Sequence, residues 1–164
     1  MQESPNKSLK YRNSVLFVKD VVRSKHFYAD VLSQEIEDDF GRFVGFKGGF
    51  GIWDGSYALE LIRGKPDNRA SYGSENCELY FETSELDFII QNLDEHGVPF
   101  VHPMKEHDWG QRGIRVEDPD GHIIEISEPM EEVVRRLHGE GMDLPAISKK
   151  TYFSLDDIHQ ILAE

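Results

Sequence analysis

Cysteine is almost missing from this chain: Cys77 stands alone in 164 residues. An internal disulfide and a cysteine-built zinc centre are therefore both excluded, which fits a reducing, cytoplasmic setting. Long apolar runs are missing too, and no stretch approaches the roughly 18 residues a membrane helix needs. The first ten residues, Met1 to Lys10, are polar and lack the apolar core of a signal peptide, so no membrane partner is expected. Basic residues are the third shortage. Eighteen Lys and Arg face 31 Asp and Glu, a formal charge of −13, which argues against a surface that neutralises phosphates and against nucleic acid as a partner.

What is present is an organised β-rich pattern. Residues 1–12 form an irregular N-terminus, and Asn13 to Lys19 then alternates as a strand, with Leu16 and Val18 on one face and Asn13, Val15 and Phe17 on the other. Asp20 is a suitable N-cap for a helix whose apolar stripe is Val21, Val22, Phe27, Tyr28, Val31 and Leu32. Two short strands hinge at Gly41, and Gly48-Gly49 turns the chain into a fourth, Phe50 to Asp54. The pattern repeats: a strand at Glu78–Ser84, a helix closed by Gly97, a strand at Val98–His102, and a hairpin in which Asp118-Pro119-Asp120-Gly121 joins Gln111–Glu117 to His122–Ser127. A shift of 65 positions lays Val18-Lys19-Asp20 on Thr83-Ser84-Glu85.

These observations predict an α+β fold of two tandem β-α-β-β-β modules, residues 13–54 and 78–128, joined by a linker over 55–77 and followed by C-terminal helices over 129–164. Within the linker, Tyr57 to Ile62 reads either as a helix capped by Ser56 and stopped by Gly64, or as one more strand. The helix is preferred, because the first module already has its four strands. In the extension, Met130–His138, Leu144–Thr151 and the segment after Ser154-Leu155-Asp156-Asp157, which resembles a capping box, read as three short helices. Four Lys or Arg against seven Asp or Glu there favour packing or a dimer contact over DNA reading.

In the last strand, alternation puts Glu125 on the face of Ile123 and Ser127. A carboxylate on a partly apolar face needs a metal, a hydrogen-bonding partner, a raised pKa or water. An edge strand with a solvated Glu125 is the plain alternative.

The paired modules, the Asp118-to-His122 turn with Glu125 behind it, and the run Trp109-Gly110-Gln111-Arg112 resemble the glyoxalase, bleomycin-resistance and dioxygenase superfamily, the vicinal oxygen chelate proteins. The resemblance implies that the modules curl mixed sheets around a cavity which takes a small molecule and, in some members, a divalent ion, and that the protein is a homodimer. It places the ligand positions of the family at Asn13, Glu78 and Glu125, and at Glu60 if Tyr57 to Ile62 is a strand. By counting from Gly49 and Gly121, the counterpart of Glu125 in the first module is Trp53. None of the seven histidines falls at an aligned position, which sets ring-cleaving dioxygenase chemistry aside.

Two functions follow from the resemblance. One is a small-molecule binder whose metal site is degenerate or oxygen-only, with Asn13, Phe17, Trp53, Tyr80, Trp109 and Arg112 toward the ligand. The other is a metal-dependent isomerase or lyase of glyoxalase type, with Glu125 as proton-transfer base and Glu78 as its counterpart. The cofactor is accordingly one divalent ion of unassigned identity, or none. Without a metal, Glu78 and Glu125 facing each other would repel, raising the pKa of one of them.

Overall fold

A computed structural model describes residues 10–64 and 71–164, without the side chains of Ser74 and Glu75. The first nine residues of the expected N-terminal segment and positions 65–70 of the expected linker lie outside the described residues. The chain divides into two compact units, one ending at Tyr72 and the other starting at Gly73.

In the first unit, β1 (Ser14–Val18) leads into α1 (Val21–His26), whose last turns widen over Phe27–Val31, with the Leu32 amide reaching back to the Phe27 carbonyl. Asp20 caps α1, its side chain accepting from the Arg23 amide at 3.1 Å. Strands β2 (Ile36–Asp39), β3 (Phe43–Phe46) and β4 (Phe50–Asp54) complete a sheet of order β1-β4-β3-β2, with β1 and β4 parallel and the rest antiparallel. One face buries Val18, Val44, Phe46 and Ile52 together with Tyr28 of α1. The ambiguous segment is a helix, α2 (Gly55–Arg63), ended by Gly64 at φ +69°. Its cap is Asp54 and not the expected Ser56: the Asp54 carboxylate accepts from the Tyr57 amide at 3.0 Å, so β4 runs into the helix without a linker.

The second unit repeats the plan. Strand β5 (Ser74–Glu82), α3 (Leu86–Glu95), β6 (Phe100–Glu106), β7 (Arg112–Glu117) and β8 (His122–Ser127) give a sheet of order β5-β8-β7-β6, again with one parallel pair, β5 and β8. Strand β5 starts four residues before its expected span and ends two before the end of it, and β6 starts two residues late and runs four residues on into what reads as loop. Ile114, Val116, Ile124 and Ile126 on the sheet and Leu86 and Leu93 on α3 are the buried apolar residues of these elements. The extension forms α4 (Met130–Gly139), α5 (Leu144–Thr151) and α6 (Leu155–Ala163). These bury a core of their own, Val133, Val134, Leu137, Ile147, Ile158 and Ile161, and Ser154 with Asp157 makes the capping box that opens α6. Among the described residues, no helix is long and apolar enough to cross a membrane.

The strand register also corrects the internal alignment. Tyr80 lies opposite Glu125, and 65 positions earlier Val15 lies opposite Gly51. The counterpart of Glu125 is therefore Gly51, not Trp53.

Candidate functional site

Glu125 is neither on an edge strand nor solvated. Strand β8 is central, between β5 and β7, and only 6% of Glu125 is exposed. Its face holds Glu78 and Tyr80 from β5, Ser127 from its own strand, and Arg115, which the antiparallel register sets directly opposite it on β7. The Arg115 guanidinium donates to Glu125 Oε2 through one terminal nitrogen. It also donates to Glu78, through Nε at 2.8 Å to Oε2 and Nη2 at 3.3 Å to Oε1. The Ser127 hydroxyl donates to Glu125 Oε1 at 2.9 Å, so both carboxylate oxygens are engaged.

Electrostatics follow from this geometry. Hydrogen bonds from Arg115 hold the Glu78 carboxyl below its ordinary value, and the same contact raises the guanidinium. The repulsion expected between Glu78 and Glu125, with a raised pKa on one of them, is thus replaced by a carboxylate–guanidinium–carboxylate bridge, and Glu78 shifts the opposite way. Nothing local in the sequence singles out Arg115; only the strand register brings it opposite Glu125.

The turn before β7 adds polar and aromatic groups. The Trp109 indole donates to Gln111 Oε1 at 2.9 Å, and Gln111 Nε2 donates both to the Tyr80 hydroxyl at 2.8 Å and to the Glu128 carbonyl at 2.7 Å. Tyr80 in turn donates to Glu82 at 2.8 Å. Burial of its hydroxyl, reinforced by that carboxylate, pushes Tyr80 up to about 12. The His107 ring stacks on Trp109, with centroids 4.3 Å apart. Burial lowers His107, against an opposing pull from Glu125. Alternation already places Ser127 on the Glu125 face, and His107 reads from the sequence as a surface histidine flanking a loop; the bridging role of Gln111 has no local signal.

The other expected site residues are placed as follows. Asn13 is exposed, and Glu60 is exposed on α2, so the strand on which its ligand role depended is not formed. Phe17 and Trp53 meet edge to face at 6.2 Å on the first sheet, with Phe43 against Trp53 at 6.4 Å. The Phe43 ring covers Gly51, where an added Cβ would meet it at 3.0 Å. An aromatic face thus occupies, in the first unit, the positions of Arg115 and Glu125 in the second. Arg112 is not brought to Glu125. One residue after Gln111 and three before Arg115, it lies on the opposite face of β7. There it helps line a hollow of about 150 Å³ with Leu86, Phe88, Met104 and Glu128.

A divalent ion of the kind the resemblance implies can be tested against these side chains. Its place between Glu78 and Glu125 is taken by a guanidinium covalently part of β7. Among the described residues, no three or more His, Cys, Asp and Glu side chains gather as a ligand set. The residues present in this unit do not fit the ion.

A family model described as a glyoxalase-like domain matches residues 11–131. The chain belongs to the glyoxalase-like domain family. Among solved structures, this glyoxalase-like chain is similar to a protein of unknown function from Agrobacterium tumefaciens str. C58, with 41% identity, a TM-score of 0.70, and coverage of 75% of this chain and 96% of that one. It is also similar in fold to a lactoylglutathione lyase from Agrobacterium tumefaciens (20% identity, TM-score 0.58, covering 77% of this chain and 96% of that one). A glyoxalase/bleomycin resistance protein/dioxygenase from Nocardioides shares the fold at 21% identity and a TM-score of 0.59, covering 74% of this chain and 84% of that one. No match was found among curated proteins. The glyoxalase-like match stops at residue 131, so nearly all of the helical extension lies beyond it.

Proposed function

We propose that this glyoxalase-like protein binds a small molecule on the Glu125 face of its second sheet, with the Arg115 guanidinium supplying the positive charge that a metal supplies elsewhere in the superfamily. The observation that carries this is the bridge itself: one arginine donates to both Glu78 and Glu125. Two carboxylates against one guanidinium leave the face acceptor-rich, which suits a ligand bearing N–H, O–H or cationic groups. Tyr80 and Trp109, 49% and 37% exposed, offer rings on which such a ligand can stack. Phe17 and Trp53 give the first unit a further stacking surface. A homodimer in the cytoplasm belongs to the same reading.

The lyase or isomerase alternative, with Glu125 as base, stands second. In that role Glu125 would take the substrate proton on a remaining lone pair, while the hydrogen bonds from Arg115 and Ser127 weaken it as a base.

A thermal-shift screen of small molecules run in EDTA, with hits confirmed by calorimetry, tests the proposal. Ligands are expected to bind in EDTA and to weaken by about tenfold or more in W109A and R115M, since each substitution removes a central contact. Binding that appears only on adding a divalent metal would contradict it.

A further inference from the structure

Helix α4 lies beyond most of the matched region, yet one of its side chains reaches the turn that carries the site. Arg136 Nη2 donates to the Gly110 carbonyl at 2.5 Å and to Glu128 Oε2 at 3.2 Å. That same Glu128 oxygen accepts from the Arg112 amide at 3.1 Å, while the Glu128 carbonyl accepts from Gln111. Arg136 thus holds the Gly110 end directly and the Arg112 end through Glu128, in a turn whose middle residue, Gln111, bridges Trp109 and Tyr80. Its other terminal nitrogen faces Glu140 at 3.4 Å and Glu106 at 3.6 Å, and Lys150 of α5 meets Glu106 at 3.3 Å.

Packing reinforces the grip. Gly110 has φ +88°, and a Cβ there would meet Lys150 Cε at 2.9 Å and Leu137 and Val133 at 3.2 Å. The turn is seated closely against α4 and α5, and its positive φ favours glycine there. Arg136 itself is 17% exposed at its side chain, so the contact is sheltered from solvent screening. Val133 and Leu137 also belong to the buried core of the extension, so the helices present Arg136 from a rigid base.

We propose that Arg136 is a positioning residue for the ligand site, and that the C-terminal helices serve as the back-plate that sets the His107–Gln111 turn. The inference builds on the proposed ligand site but is tested without any ligand. In the full chain, NMR-detected amide exchange is compared for wild type, R136Q and R136K, and acrylamide quenching of Trp109 is followed in a W53F background. In R136Q, exchange at His107, Gly110 and Arg112 is expected to accelerate by about tenfold or more, the loss of charge-assisted hydrogen bonds releasing the turn locally. Trp109 quenching rises in parallel. R136K, which keeps the charge but not the fork, changes both readouts less. Amides of Ile124 and Ile126 in β8 keep wild-type rates. If R136Q does not fold, R136K is read by the same two measures. Turn amides that exchange at wild-type rates, or that accelerate only together with Ile124 and Ile126, would overturn the proposal. Loss of the ligand reading leaves both readouts intact, so the two failures are distinguishable.

Discussion

Arg115 and Glu125 face each other across the β7–β8 ladder, and the guanidinium that neutralises Glu125 extends on to Glu78 of β5. Three strands are tied on one face by a single cation. Breaking such a bridge from the cation side leaves a buried carboxylate unpaired. R115M is expected to lose about 3 kcal/mol of stability, in the lower part of the range for orphaning a buried charge because Arg115 is itself a quarter exposed. Adding E125Q to R115M should recover part of that loss, with a coupling of at least ~1 kcal/mol in a double-mutant cycle. Urea unfolding of the four proteins measures it, and additive effects would show that the pair is not coupled.

Gly113 makes room for the hydroxyl that completes the site. A Cβ there would sit 2.2 Å from Ser127 Oγ, the group that donates to Glu125 Oε1. G113A is expected to cost about 1–3 kcal/mol as an overpacking change. S127A should relieve most of that clash, making G113A/S127A more stable than G113A alone. Thermal melts decide it, and equal stability of the two would remove the steric account.

The hairpin turn carries its own pH dependence. Burial would raise the Asp118 carboxyl, but hydrogen bonds from the His122 ring and amide, both at 2.9 Å, with another from the Asp120 amide, hold it below the ordinary value of 3.8. A depressed carboxylate contributes stability that is present above its unfolded value and is lost as pH falls through its folded value. Wild type is therefore expected to lose stability below pH 3.8 more steeply than D118N, which lacks the titrating group. Denaturant unfolding from pH 7 downward measures the difference, and parallel profiles would contradict it.

Much of this fold was legible because its signals are local. Alternation over β1 and β8, the Asp20 cap, the Gly64 stop and the Asp118-to-Gly121 turn each follow from residues a few positions apart. The site was legible in part. Glu125 and Glu78 stand out as acids in strands, but Arg115 emerges only when the hairpin register is counted, since Glu117 opposite Ile123 forces Arg115 opposite Glu125. Trp53 was matched to Glu125 because both were counted from turn glycines. Gly49 lies one residue before Phe50, whereas Gly121 lies three before Ile124, the residue that occupies the place of Phe50 in the second register, and that difference moves the counterpart by two positions to Gly51. Gln111 and Arg136 depend on contacts between residues far apart in sequence, Gln111 with Tyr80 and Arg136 with Gly110, which no periodicity announces.

The metal content of protein purified without chelator, followed by calorimetric titration with Mn²⁺, bears most directly on the arginine bridge. With Arg115 between Glu78 and Glu125, the expected result is no stoichiometric divalent ion and no Mn²⁺ affinity tighter than about millimolar, near the floor of weak oxygen-ligand sites. One tightly held divalent ion per chain, lost in E125A, would contradict it.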